Sequence, residues 1–252
     1  MFIFLISDYI LVAFILNIDT TTAVCSVVLS ENERVVSVRE DTEGRSHASL
    51  LTVFIDEIAK ESNIKPDQLD AVAISMGPGS YTGLRIGVSV AKGICYGISK
   101  PLIAISTLKA LCYGAKKNTV FESVYNKNEK FLFCPMIDAR RMDIFTALFD
   151  INYNQVSETQ ALTINNNSFK EELVNHRILF FGDGSEKCKV EIKNKNAYFI
   201  DNLLNSAKYM VELSATAFKK NDFVDIAYFE PYYLKDFIPT KPKKNIVPFE
   251  RK

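Results

Sequence analysis

The pattern of hydrophobic and polar residues predicts a β-meander followed by alternating helices and strands. Apolar runs bounded by turn residues indicate strands, and apolar residues at intervals of three and four indicate helices. In the first half, the predicted strands are 15–20, 22–30, 34–39, 71–76 and 101–106, and the predicted helices are 46–60, 82–98 and 107–116. Tight turns join the first three strands, so we expect these strands to be antiparallel.

The same order of elements returns after a polar stretch at 117–130, which is predicted to be a linker. In the second half, the predicted strands are 131–137, 142–150, 155–164 and 177–181, and the predicted helices are 168–174 and 202–220. A repeated meander and α/β segment predicts a duplicated fold with a cleft between its halves. The predicted domains are therefore a first lobe at 15–116 and a second lobe at 131–237.

Both ends of the chain are predicted to lie outside these lobes. Residues 1–14 are apolar apart from Ser7 and Asp8, but no basic residue precedes them. Asp8 also interrupts the run of about 20 apolar residues that a membrane span requires. We interpret this stretch as an N-terminal extension that is dispensable for folding and partner binding, with a weak membrane anchor as the alternative. Residues 238–252 are predicted to form a basic, solvated tail.

The composition is that of an ordinary globular protein, and it excludes a strong overall attraction to polyanions. Of 252 residues, 48% are hydrophobic and 24% are charged, and 30 Lys and Arg balance 30 Asp and Glu. Binding to nucleic acid would therefore require a local basic patch or a partner. Five scattered cysteines without a CxxC pair indicate free thiols in a reducing cytoplasm.

The stretch 77–97 carries the most unusual pattern in the chain. Its GPG sequence at 77–79 predicts a tight turn, because proline fixes φ and glycine tolerates positive φ. In the helix that follows, Gly83, Gly87 and Ala91 recur every four residues and leave one stripe almost without side chains. Glycine inside a helix costs about 1 kcal/mol relative to alanine. The stripe therefore indicates that another backbone comes close, either the chain's own or a partner's.

No motif supplies a complete catalytic site. The hydroxyl-rich stretch Asp19–Thr22 and the glycine turn could each face a phosphate, but neither has a P-loop sequence, and an ordinary turn is the alternative for each. His47 and His176 are the two histidines, and neither has a second ligand at metal spacing. Asp138 and Asp143 flank a predicted turn and could form an acid pair, although aspartate is common in such turns.

Five segments carry a family resemblance. They are ILNIDTTT at 15–22, GPGSYTGLRIGVSVAKG at 77–93, DARRMDIFTA at 138–147, FGDGS at 181–185 and EPYYLKDF at 230–237. In this order they resemble the TsaB family, the non-catalytic subunit of the bacterial tRNA threonylcarbamoyladenosine machinery. The resemblance implies an α/β fold of the actin-like ATPase and sugar-kinase superfamily, with two ribonuclease-H-like lobes.

The resemblance also implies a function. A TsaB protein pairs with its catalytic paralogue TsaD and, with TsaE, supports transfer of a threonylcarbamoyl group to the adenosine beside the anticodon of tRNA. We therefore expect a cytoplasmic subunit that contacts tRNA indirectly and holds no cofactor of its own. Whether the chain forms a homodimer when alone, or binds nucleotide at the partner interface, is left open by the sequence.

The metal site of the catalytic paralogue has no counterpart in this sequence. In that paralogue an HxxxH helix following a KPLI-like strand supplies metal ligands. Here the strand is 100–103, and the two histidine positions fall on Thr107 and Leu111. A leucine binds no metal and a lone threonine is a poor ligand, so we expect no metal-dependent catalysis by the chain alone. The alternatives are an autonomous actin-like ATPase, sugar kinase or glycoprotease-type metalloenzyme, and an interaction protein with another partner.

The partner-binding surface is expected on the helices predicted at 48–60 and 82–98. The second helix is apolar or small over a wider arc than packing on one sheet requires, so a second surface must cover it. The resemblance implies that this surface is TsaD, with equivalent helices paired in a bundle, and the alternative is the chain's own second lobe. The predicted contact residues are Leu50, Phe54, Gly83, Gly87, Val90, Ala91 and Ile94.

Overall fold

The N-terminal half of the chain forms the first of two five-stranded sheets. The structure is a computed structural model, and it describes residues 12–44 and 46–235. Its strands are β1 (Phe14–Asp19), β2 (Cys25–Glu31), β3 (Arg34–Asp41), β4 (Ala71–Gly77) and β5 (Leu102–Ser106). They lie in the order β3-β2-β1-β4-β5. The first three strands are antiparallel, whereas β4 is parallel to β1 and β5 is parallel to β4.

The second sheet repeats this topology. Its strands are β6 (Phe131–Asp138), β7 (Asp143–Thr146), β8 (Gln160–Thr163), β9 (Arg177–Phe181) and β10 (Ala197–Phe199). They lie in the order β10-β9-β6-β7-β8, which is the first order read in reverse. Here too an antiparallel meander precedes two parallel strands. The predicted α/β class with two ribonuclease-H-like lobes is confirmed, while the exact lobe boundaries stay predictions.

Six α-helices connect and cover the strands within the described residues. They are α1 (His47–Ser62), α2 (Tyr81–Ile98), α3 (Thr107–Lys116), α4 (Thr119–Val124), α5 (Lys170–Asn175) and α6 (Val211–Lys219). On one face of the first sheet, α1 and α2 pack through side chains such as Leu51 and Ala91. On the other face lie α6 and the short 3-10 helix Ala207–Met210. None of the described helices is long and apolar enough to cross a bilayer.

Four predicted elements differ from the structure, and the first is the strand predicted at 142–150, which is reduced to β7. The predicted linker contains α4, because the Asn118 side chain caps that helix and Phe121 packs into the core. The predicted helix 202–220 is α-helical only from Val211, and it packs on β1 and β5 of the first sheet rather than completing the second half. The strand predicted at 155–164 is reduced to β8. Finally, β10 has no predicted counterpart, because three residues are too few to show a pattern.

Two residues of the predicted N-terminal extension, Ala13 and Phe14, pack against the first sheet. Ala13 is only 4% exposed, its N–H donates to the Asn32 side chain, and the N–H of Phe14 donates to the carboxylate of Asp70 at 2.9 Å. Ala13 and Phe14 are therefore part of the first lobe. The rest of that prediction, on residues 1–11, and the predicted basic tail lie outside the described residues.

The five cysteines are free thiols, as predicted, and the structure shows that all five are buried. Burial raises the pKa of Cys25, Cys95 and Cys188, each to about 11. The reactive form of a cysteine is the thiolate, which is scarce at neutral pH for a group with so high a pKa. These side chains therefore act as core residues.

Candidate protein-protein interface on the first lobe

The helix α2 starts from a tight turn that the chain itself surrounds. Gly77 has a φ of 113°, and a Cβ there would lie 2.7 Å from the carbonyl oxygen of Tyr232. Only glycine fits such a position. The Ser80 side chain then caps the helix by accepting a hydrogen bond from the N–H of Gly83. The N–H of Ser80 donates to the Thr21 carbonyl at 2.6 Å, so this turn is committed to contacts within the chain.

The small stripe of α2 faces the chain's own β1–β2 turn. A Cβ on Gly83 would overlap the carbonyl oxygen of Thr20, and a Cβ on Gly87 would overlap the Thr20 hydroxyl. That hydroxyl donates to the Gly83 carbonyl at 2.7 Å, and Ala91 is fully buried. The prediction that Gly83, Gly87 and Ala91 contact a partner is therefore wrong. The close backbone that the pattern indicated is that of Thr20.

The opposite face of α2 is open. Gly93 and Gly97 have no atom within 4 Å of where a Cβ would stand, and Thr82 and Ser89 beside them are exposed. Tyr96 is 84% exposed. The sequence prediction missed these open glycines, because helical spacing alone sets Gly93 only about 80° around the helix from Gly83 and does not show which of the two is covered. Each of these glycines weakens the isolated helix by about 1 kcal/mol, and no contact among the described residues accounts for them.

The open face also lacks charge. The two cations of α2 lie to one side, where Arg85 stacks on Tyr81 at 4.3 Å and Lys92 donates to the carbonyl of Ala227. Ile86 and Val90 border the open face on the other side and are half-buried. A smooth, uncharged helix face of this kind suits packing against another helix at the short end of the usual range of 8–10 Å.

The four remaining predicted contact residues are all half-buried. Leu50 and Phe54 of α1 and Val90 and Ile94 of α2 pack against the core of the first sheet. Ile94 also lines an apolar crevice with Ile55 of α1. These residues support the two helices from within and expose only part of their surface, so their contact with a partner stays a prediction.

The β1–β2 turn is held by a buried network of hydrogen bonds between polar side chains. Asp19 accepts from the N–H of Thr21 at 2.9 Å and from its hydroxyl at 2.6 Å, and Asn205 donates to the same hydroxyl. One carboxylate oxygen of Asp19 and the amide oxygen of Asn205 are buried without a hydrogen-bond partner. His47 donates to the carbonyl of Thr22 at 2.8 Å, which closes the turn from α1. The chain itself thus covers the stretch that resembled a phosphate loop.

Burial raises the pKa of Asp19 above its usual range, and hydrogen bonds from Thr21 only partly offset this rise. The folded state then holds a proton more tightly than the unfolded state. Stability is therefore lost as pH rises through the usual aspartate pKa of about 3.9 toward the higher folded value.

We expect Asp19→Asn to keep the bonds to Thr21 and to lose less stability than the wild type on going from pH 4 to pH 7. Urea unfolding at both values tests this, and equal losses would contradict it.

Thr107 and Leu111, the positions that the resemblance aligned with metal ligands, are part of the core. The Thr107 hydroxyl bonds the Ser75 hydroxyl at 2.8 Å and accepts from the N–H of Gly77 at 3.1 Å. Leu111 is 1% exposed and packs with the aromatic residues of the second sheet. The described residues contain no group of three or more His, Cys, Asp or Glu side chains that could hold a metal ion.

The candidate acid pair of the second lobe is engaged by lysines. Lys187 pairs with the carboxylate of Asp138 and donates to the carbonyl of Asp143 at 2.7 Å. Asp143 in turn accepts from Lys235 at 2.6 Å and from Thr163, and these bonds lower its pKa. Two carboxylates that are each held by a cation do not share a proton, so the arrangement favours a structural role.

The comparisons with known proteins agree with this geometry. The family model described as TsaD, tRNA N6-adenosine threonylcarbamoyltransferase, matches residues 38–238. The chain is similar to the tRNA threonylcarbamoyladenosine biosynthesis protein TsaB of Escherichia coli (strain K12), with 28% identity over 239 residues, 90% of this chain and 96% of that protein. The TsaB protein of Bacillus subtilis (strain 168) is 24% identical over 79% of this chain and 75% of its own length. The solved structure of YeaZ from Pseudomonas aeruginosa has the same fold, with a TM-score of 0.75, 22% identity, and coverage of 88% of this chain and 100% of that one.

Proposed function

We propose that this chain, which belongs to the TsaD family, is a non-catalytic subunit of the TsaB type, because it is similar to TsaB proteins over most of their length. In this role it pairs with the catalytic paralogue TsaD and supports transfer of a threonylcarbamoyl group to tRNA adenosine. TsaE joins the larger assembly, and the chain is cytoplasmic.

The observation that carries this proposal is the contrast between the two faces of α2. Its inner face is locked to Thr20 and builds the lobe, while its outer face, with Gly93 and Gly97, is open and uncharged. A second helix can approach such a face closely. The buried Thr107 and Leu111 support the non-catalytic part of the proposal, since neither side chain is available to a metal.

Mixing the purified chain with TsaD of the same organism tests the proposal. We expect a 1:1 complex by mass measurement. We also expect that formation of threonylcarbamoyladenosine from threonylcarbamoyl-AMP and tRNA requires TsaD and rises at least tenfold when the chain is added. The chain alone should show no turnover and no stoichiometric metal. Turnover by the chain alone, or separate masses in the mixture, would contradict the proposal.

A further inference from the structure

The second lobe carries an open polar basin that the proposed pairing does not use. It has a volume of about 630 Å³ and lies at the edge of the second sheet where β6, β9 and β10 begin. Because these three strands are parallel, the residues just before them meet at one edge: Lys130 before β6, Arg177 at the start of β9 and Lys195 before β10.

The basin is a local positive patch on a chain without net charge. Among the described residues that line it, Glu129 is the one carboxylate, and Arg177 neutralises that group at 2.5 Å. Lys130 and Lys195 are exposed, and among the described residues neither side chain has a hydrogen bond or an ion pair. Two cations are therefore left unneutralised at one concave surface.

The shape of the basin favours an extended ligand over a small one. Lys130 and Lys195 precede β6 and β10, which are separated by β9, so the two cations are spread along the edge of the sheet rather than gathered at one point. Asn175 on the rim is exposed and offers an amide to a sugar hydroxyl, and Tyr198 holds the Arg177 guanidinium 5.6 Å from its ring. Spaced lysines with amide donors are the chemistry that contacts phosphates and riboses along a nucleic-acid backbone.

We propose that this basin binds the ribose-phosphate backbone of tRNA directly. The inference rests on the proposed function for the identity of the RNA, and it assigns the second lobe a contact that the sequence left to the partner. Lys130 and Lys195 each neutralise one phosphate. Such contacts position the RNA without reading its sequence.

The test compares the wild-type chain with the double variant K130E/K195E. Each protein is titrated into fluorescently labelled tRNA, once in the presence of TsaD and once without it. We expect the reversal to weaken binding at least tenfold near 0.1 M salt. The slope of log affinity against log salt should also fall by about 1.5, since each phosphate contact contributes roughly 0.7–0.9. The control R34E/K220E reverses two exposed cations of the first lobe and should bind tRNA like the wild type. Cooperative melting of each variant shows that it is folded.

Unchanged affinity and slope in both titrations would overturn the inference. An equal loss in the control would do the same, because it would mean that only overall charge matters. If the reversal abolishes stimulation of TsaD but leaves tRNA affinity intact, the basin binds an acidic protein surface and the RNA assignment is wrong. Failure of the wild-type chain to pair with TsaD would count against the proposed function alone, because the titration of the chain by itself still reports on the basin.

Discussion

Gly83→Ala is expected to lower the free energy of unfolding by about 1–3 kcal/mol, although alanine is the better helix former. The added methyl group would overlap the main-chain carbonyl of Thr20, which cannot rotate away as a flexible side chain could. Overpacking of this kind costs about 1–3 kcal/mol. Separating the two segments also weakens the bond from the Thr20 hydroxyl to the Gly83 carbonyl, worth about 1 kcal/mol. The gain in helix propensity of about 1 kcal/mol offsets only part of this.

The matched control is the same substitution at Gly93, on the open face of the same helix. At Gly93 a methyl group meets no atom within 4 Å, so Gly93→Ala should raise stability by about 0.5–1 kcal/mol through helix propensity alone. Urea unfolding of the two variants measures both changes. If the two substitutions shift stability in the same direction, α2 is not packed against Thr20 as described.

The sequence predicted the stripe of small residues on α2, but it did not predict which segment packs against that stripe. Spacing along one helix shows that Gly83 and Gly87 share a face, and the cost of glycine shows that something lies close to that face. It does not show which backbone does so, because Thr20 is 63 residues away in sequence from Gly83. The prediction followed the resemblance to the family and assigned the contact to a partner.

Most features of the fold that could not be predicted from the sequence depend on contacts between residues far apart along the chain. The segment EPYYLKDF was identified only through the resemblance. Its described part, 230–235, connects the two lobes, since the ring of Tyr233 packs at a tilt against that of Tyr81 of α2, with the ring centres 4.9 Å apart, and Lys235 pairs with Asp143 of β7. No local pattern encodes these pairs. By contrast, both meanders and the buried strands were predictable, because alternation and apolar runs are local signals.

A charged substitution on the open face of α2 is expected to have a large effect on the affinity for TsaD. We expect Gly93→Glu to weaken the pairing with TsaD at least 100-fold while changing the free energy of unfolding by no more than about 1 kcal/mol. The position is open in the chain by itself, so the glutamate meets no clash there, and it replaces a poor helix former. In a helix pair at 8–10 Å, the same side chain would be buried with an unpaired charge, which costs several kcal/mol.

The control for added charge is Thr216→Glu on α6, which is exposed and belongs to the helix on the other face of the first sheet. It should pair with TsaD like the wild type. Titration followed by mass or calorimetry measures the affinities, and Gly93→Ala, with its single methyl group, should fall between wild type and Gly93→Glu. Because Gly93→Glu leaves the lobe intact, a loss of pairing can be attributed to the surface itself, which Gly83 or Gly87 variants could not show. If the Gly93→Glu variant binds TsaD with the affinity of the wild type, the open face of α2 is not the interface and TsaD binds elsewhere.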